Sequence, residues 1–266
     1  MATAGDWACS TDGVSMKLAV ILAAAGSSRR FGVDKLAQDL GGRPLLVRTV
    51  EAFTRRDEVT QIIVAGPPDR WDEFHARFGP TLGFHGAELV QGGRADRWET
   101  IAASLKHLAD EVTHVAVHDA ARPCVGEALL DRLIEAAATV DAVVPGIPVT
   151  STLKRAGKPR DVATQDVLVD SILGDDTAPQ LDVRQIKETV PREGLFEIQT
   201  PQVFSRESIL SAYESVDPAG STDDASVLEK AGLDVHVVEG DATNIKITRP
   251  ADLRLAAAMI KSGLIA

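Results

Sequence analysis

Cysteine is scarce. The two in 266 residues, Cys9 and Cys124, give no basis for a disulfide framework and fit a reducing, cytoplasmic setting. No Cys/His cluster has zinc-ligand spacing. No run of about 18 apolar residues occurs, which excludes a transmembrane helix. The N-terminal MATAGDWACSTDGVS has neither a basic region nor an apolar stretch, so no secretory leader or transit peptide is expected there. Residues 1–15 read as a disordered tail. Positive charge is also in deficit: 28 Lys and Arg against 39 Asp and Glu leave a net charge of −11. An acidic chain is repelled by nucleic acid and by anionic membranes, and neither is expected as a partner. There is no internal repeat and no low-complexity block. Neither phosphate-binding fingerprint is present: G-x-G-x-x-G is absent, and no GK[ST] closes a Walker A loop.

What remains is ordinary soluble material, 44% hydrophobic and 25% charged. From Lys17 onward a regular rhythm appears. KLAVILA, QIIVAG, AELVQGG, HVAVHD and DAVVPGIPV read as strands, the third running into a glycine turn, apolar throughout as in sheets covered on both faces. Between them, residues 44–56, WDEFHARF, RWETIAASLKHL and EALLDRLIEAAA read as helices. Strand–helix alternation every 25–30 residues or so predicts a mostly parallel α/β sheet with helices on both faces. The rhythm breaks at about 150–192, which carries β-like pieces but no long amphipathic helix. This span reads as an arm or long loop leaving a single domain at 16–266. Regularity returns with LFEIQTPQVF, a helix at 205–215, the helix DDASVLEKAG with Gly232 at its C′ position, strands DVHVVEG and TNIKIT, and a last helix at 250–262 opened by Pro250.

Three segments carry chemistry. LAAAGSSRRFGVDK, residues 22–35, follows a strand directly. Its small residues let a ligand approach the backbone, and successive N–H groups in such a turn cradle an anion. Arg29, Arg30 and Lys35 oppose only Asp34, a local cationic excess in an acidic chain. The bland alternative is a tight turn with solvated basic residues. In VAVHDAARP, Asp119 falls just past a strand end, where open α/β sheets bind ligands. A carboxylate there can hold Mg²⁺ on nucleotide phosphates, or it can cap the next turn. Arg122 can bind a phosphate bidentately, and His118 reads as a packed neighbour. In the C-terminal set, Lys246 either snorkels to solvent or points into a site. Thr222, Asp223 and Asp224 open a helix and read as capping residues.

AAAGSSRR…DK, GG…R, VHDAARP, TPQVF, TDDASVLE and NIKITRP occur in one order over about residues 17–262. Together they resemble the 2-C-methyl-D-erythritol 4-phosphate cytidylyltransferase family. The resemblance implies a Rossmann-like nucleotidyltransferase domain with a protruding β-arm that forms a homodimer. It also implies cytidylyl transfer from CTP to methylerythritol phosphate with Mg²⁺. It assigns Arg30, Lys35 and Lys246 to catalysis. CTP contacts fall on Ala24, Ala25, Gly26, Ser28, Gly92, Gly93, Arg97, Thr100, Asp119 and Ala120, with Asp119 also the metal carboxylate. Methylerythritol-phosphate contacts fall on Arg122, Thr152, Arg192, Thr200 and Thr222, with Thr152 and Arg192 supplied by the partner's arm. The chain departs from the family pattern in three places. The loop RFGVDK is short and resembles that of molybdenum-cofactor nucleotidyltransferases. Arg94 stands where an acidic residue is expected. The arm is some twenty residues longer than the family's. Other readings are a cytidylyltransferase for another alditol phosphate such as ribitol 5-phosphate, a molybdopterin nucleotidyltransferase, and a catalytically silent binding protein.

Overall fold

A computed structural model of the chain describes residues 16–26, 31–161 and 182–265. The tail expected at 1–15 lies outside them. The strands are β1 (Leu18–Ala23), β2 (Val59–Gly66), β3 (Ala87–Gln91), β4 (His114–Asp119), β5 (Ala142–Pro148), β6 (Leu153–Asp161), β7 (Asp182–Val190), β8 (Phe196–Ile198), β9 (Gln202–Ser205) and β10 (His236–Glu239). The α-helices are α1 (Leu45–Glu51), α2 (Trp71–Phe84), α3 (Arg97–Leu105), α4 (Glu127–Ala137), α5 (Arg206–Ser215), α6 (Ala225–Lys230) and α7 (Pro250–Lys261).

The chain divides into two compact units, Met1–Ile147 with Ile198–Ala266, and Pro148–Glu197. In the first, neighbouring strands run β10-β5-β9-β4-β1-β2-β3. Pairings β1–β2, β1–β4, β2–β3 and β5–β10 are parallel, and β9 runs antiparallel between β4 and β5. The mostly parallel sheet read from the sequence is therefore present. Strand residues alternate between two cores. Leu18, Val20 and Leu22 pack with α1, α2, α4 and α7 on one face. Ala19, Ile21, Val115 and Val117 pack with α3, α5 and α6 on the other. Each face buries its own set of apolar side chains, and that burial is the main favourable term holding the layers together.

Element ends follow local chemistry. Ser205 caps α5, accepting from the Ser208 amide at 3.1 Å. Gly232 takes φ 78° after α6, and Leu233 N–H closes back on the Leu228 carbonyl at 3.0 Å. Pro250 opens α7, where Asp252 accepts from the Thr248 and Arg249 amides, each at 2.8 Å. Two expectations are corrected. The helix predicted from WDEFHARF continues to Phe84 through Pro80, because Phe74, Phe78 and Leu82 keep one face buried. TNIKIT is not a strand. Its backbone is tied to loops one group at a time, with Ile247 N–H donating to the Ala121 carbonyl at 2.8 Å.

The second unit contains the span that broke the rhythm. It is an antiparallel hairpin of β6 and β7, with register shifts on either side of Ala156. Pro159 lies within β6, a placement tolerated at edges and irregularities. Of the β-like pieces noted there, LDVRQI contributes to β7, and DVLVDSIL lies outside the described residues.

Candidate active site

Parallel strands β1 and β4 end side by side, Ala23 beside Asp119. Past their ends opens a pocket of about 380 Å³ whose lining includes Ala24, Gly26, Lys35, Arg97, Asp119 and Lys246. The crevice beyond the carboxyl ends of parallel strands is where such sheets bind ligands.

Asp119 is the centre. It is 8% exposed and faces three cations. Lys246 Nζ lies 2.7 Å from Oδ2, Arg97 Nε 3.4 Å from Oδ1, and Arg122 Nε 3.6 Å from Oδ2. Burial alone would raise the carboxyl pKa, but Lys246, then Arg97 and Arg122, outweigh it and hold the group well below the usual carboxylate range. Asp119 is therefore ionised at any working pH. Its backbone N–H donates to Thr200 Oγ1 at 3.0 Å. The Thr200 hydroxyl then points its proton at His118 Nδ1, 3.1 Å away, and His118 Nε2–H donates to the Arg122 carbonyl at 3.0 Å. Burial pulls the His118 pKa down to about 4, so the ring is neutral and structural. It also packs edge-on against Phe53 at 5.1 Å.

The walls are built from small residues and held amides. Ala24 N–H donates to the Ala65 carbonyl at 2.9 Å, fixing the start of the loop after β1. A Cβ on Gly26 would meet no protein atom within 4 Å, so the side chain missing there leaves open space at the pocket. Gly92 and Gly93 have the opposite reason. A Cβ on Gly93 would fall 2.2 Å from Glu99 Cβ, and one on Gly92 2.9 Å from Ala25 Cβ. Thr100 is buried and accepts from the Gly93 amide at 3.0 Å. Glu99, in the first turn of α3, accepts from the Arg94 and Ala95 amides at 2.9 and 3.0 Å. The Arg94 side chain turns out to Asp69, 3.3 Å away.

Lys35 sits on a short 3-10 turn, and its Nζ donates to the Ile247 carbonyl at 3.1 Å. That bond joins the loop after β1 to the segment carrying Lys246. Ala120 is buried, its carbonyl accepting from Thr49 Oγ1 at 3.0 Å. Arg122 Nη1 donates to the Asn244 carbonyl at 2.7 Å. Thr200 is buried with its hydroxyl engaged as above, and Thr222 is exposed. Thr152 and Arg192 belong to the hairpin unit, where Arg192 Nη1 donates to the Thr150 carbonyl. Ser28 and Arg30 lie outside the described residues. Lys35, Asp119, Lys246, Arg97, Gly93 and Thr100 are thus gathered round one pocket.

Asp224 corrects the sequence reading. It opens α6 but makes no side-chain cap. Instead its fully buried carboxylate lies 2.6 Å from Arg97 Nη1. The helix start is satisfied otherwise, by Asp223 Oδ1 accepting from the Ser226 amide at 3.1 Å and by Gln202. The doubled acid was the available signal: one carboxylate suffices for a cap, and the second is surplus.

Fold and pocket together define an α/β protein with a cation-lined site for an anionic ligand at the carboxyl ends of its parallel strands. The sequence profile of the IspD family, 2-C-methyl-D-erythritol 4-phosphate cytidylyltransferase, matches residues 18–170 and 163–262. The chain is 38% identical over 251 residues to the 2-C-methyl-D-erythritol 4-phosphate cytidylyltransferase of Frankia casuarinae, covering 92% of this chain and 82% of that protein. A bifunctional IspD/IspF enzyme of Rhizobium leguminosarum is 34% identical over 255 residues, and the match spans 92% of this chain but 57% of that longer protein. The crystal structure of 2-C-methyl-D-erythritol 4-phosphate cytidylyltransferase from Thermus thermophilus superposes with a TM-score of 0.66 at 30% identity, over 92% of this chain and 100% of that one. The chain belongs to the 2-C-methyl-D-erythritol 4-phosphate cytidylyltransferase family. No described helix is long and apolar enough to cross a membrane.

Proposed function

We infer that the chain transfers a cytidylyl group from CTP to 2-C-methyl-D-erythritol 4-phosphate, releasing pyrophosphate and forming 4-diphosphocytidyl-2-C-methylerythritol, a step of non-mevalonate isoprenoid biosynthesis. The observation that carries this reading is the ring of cations around the ionised Asp119 at the strand ends, in a chain whose net charge is −11.

The acceptor phosphate is already a nucleophile, so no general base or covalent intermediate is needed. One of its oxygens bonds to the α-phosphorus while the bond from that phosphorus to the β-phosphate oxygen breaks. Two anions must meet, and charge grows on the leaving pyrophosphate. Positioning and cation clamps therefore do the catalysis. Lys35, with Arg30, holds the leaving phosphates. Lys246 serves the α-phosphate; its 2.7 Å contact with Asp119 is exchanged for a phosphate oxygen when nucleotide enters. The glycines and alanines that line the pocket admit the nucleotide to the backbone.

Asp119 is the residue that would hold Mg²⁺. Among the described residues no group of three His, Cys, Asp or Glu forms a metal cage. One buried, ionised carboxylate fits the way Mg²⁺ binds at nucleotide sites, with most of its shell made of phosphate oxygens and water. When bound, the ion neutralises phosphate charge.

The homodimer belongs to the same reading. The hairpin unit carries Thr152 and Arg192, together with the exposed apolar side chains Val183 and Ile186. It would reach a second copy and supply those two polar residues to its acceptor site. A cytoplasmic location completes the reading, in keeping with the free, buried Cys124 thiol, whose pKa burial pushes up to about 11.

An isotope experiment tests the chemistry. Methylerythritol phosphate labelled with ¹⁸O in its phosphate should deliver all of its label to the diphosphate product. Label in the released pyrophosphate would overturn attack at the α-phosphorus.

A further inference from the structure

Arg97 has surroundings that phosphate handling alone does not explain. It is the first residue of α3, where the helix dipole disfavours a cation. Its guanidinium turns between two carboxylates. Nε approaches Asp119 Oδ1 at 3.4 Å, and Nη1 approaches Asp224 Oδ2 at 2.6 Å. Asp224 Oδ1 in turn accepts from the Tyr213 hydroxyl at 2.8 Å. Three elements are thus joined behind the pocket: α5 through Tyr213, α6 through Asp224, and α3 through Arg97.

The Asp224 backbone needs nothing from its own carboxylate. Gln202 Oε1 accepts from the Asp224 and Ala225 amides at 3.2 and 3.1 Å. The Asp224 carboxylate is fully buried and the Arg97 side chain 27% exposed, and an ion pair buried in this way is a poor stability device, because desolvation offsets most of its attraction. This one lies at the edge of the pocket. Among the described residues, Arg97 is the only one of the three cations around Asp119 that a second carboxylate also holds. The Lys246 side chain is 42% exposed and Arg122 donates to a carbonyl, so neither is pinned in the same way.

We propose that Asp224 and Tyr213 are positioning residues for cytidylyl transfer, locking Arg97 so that it holds the Asp119 carboxylate in the orientation that meets the nucleotide phosphates. The proposal rests on the pocket being the CTP site. It assigns Arg97 to Asp119 rather than to the cytosine or ribose, and it gives roles to two residues that the family resemblance leaves without one.

The test is a mutant cycle read by melting temperature, by CTP binding without acceptor, and by kcat and KM. Arg97→Met and Asp224→Asn should each lower kcat/KM by about 100-fold; Arg97→Met should also destabilise, since it strands the buried Asp224 carboxylate, whereas Asp224→Asn leaves Arg97 its contact with Asp119 and should destabilise less. The double variant should melt above Arg97→Met, yet remain as slow as Arg97→Met. Tyr213→Phe keeps the ion pair and the fold. It should lower kcat/KM about three- to tenfold with Tm within about 4 °C of the parent. Activity that returns with stability in the double variant would make Asp224 merely structural and overturn the proposal, as would an unchanged Tyr213→Phe enzyme. A parent protein that binds no CTP would overturn the nucleotide reading itself. A parent that binds and turns over while the variants match it overturns the positioning role alone.

Discussion

Lys246 and His118 lie close to Asp119 and do opposite things. Lys246 is half-exposed and touches the carboxylate directly, as a group that must move to phosphate does. Lys246→Ala should lower kcat by about 10²–10³ while the protein stays folded, the usual cost of removing one preorganised donor; steady-state kinetics checks it. His118 is buried and never meets the pocket. Its folded pKa of about 4 lies below the ordinary 6.5, so the unfolded chain takes up the proton first as the pH falls. The stability this residue contributes is complete above pH 6.5 or so. It is lost as the pH drops toward 4, a loss of roughly 3 kcal/mol. His114, also depressed by burial, adds in the same direction. Urea denaturation at pH 7 and pH 4.5 should show that fall, and His118→Gln should show a smaller one. At this scale the sequence was informative where spacing is local. Asp119 at a strand end and the small residues after β1 were legible because neighbours along the chain define them. Asp224 reads as a cap because its partner, Arg97, lies far away in sequence; the doubled acid hints at a surplus carboxylate but does not say what it pairs with.

Elements place these residues, and here patterns of polarity succeed or fail by what covers them. The five apolar runs became parallel strands because both faces of the sheet are covered. TNIKIT alternates with the period of a strand but pairs with no strand among the described residues; Asn244 Nδ2 reaches the Thr200 carbonyl at 2.8 Å instead. The irregular path presents Lys246 to Asp119. The first turn of α3 is equally specific. Glu99 holds the Arg94 and Ala95 amides, so the glycine turn after β3 is set by a helix residue rather than by its own sequence. Glu99→Gln should loosen that turn and raise KM for CTP several-fold with kcat nearly unchanged, the signature of lost ground-state positioning. A kcat loss of the same size with KM unchanged would place Glu99 in the chemistry instead.

At the scale of the molecule, the chain is a sheet unit carrying the pocket and a hairpin unit. The hairpin was legible only as a break in rhythm. KRAGKPRD and DVRQIKETV are polar, with most side chains exposed, so neither shows the apolar alternation that marks a half-buried strand. Val183 and Ile186, 46% and 59% exposed, are the exceptions. If they form the contact between copies, Val183→Asp with Ile186→Asp should turn a dimer into a monomer in sedimentation velocity. Acceptor KM should rise and CTP affinity should hold, because the CTP pocket belongs to the sheet unit. A monomeric parent would remove the hairpin from the acceptor site. The activity is tested most directly by pyrophosphate release from the purified protein with CTP and Mg²⁺, comparing methylerythritol 4-phosphate with ribitol 5-phosphate. Release is expected with the first and none above background with the second. Release with ribitol 5-phosphate alone, or with neither in a protein that binds CTP, would contradict that activity.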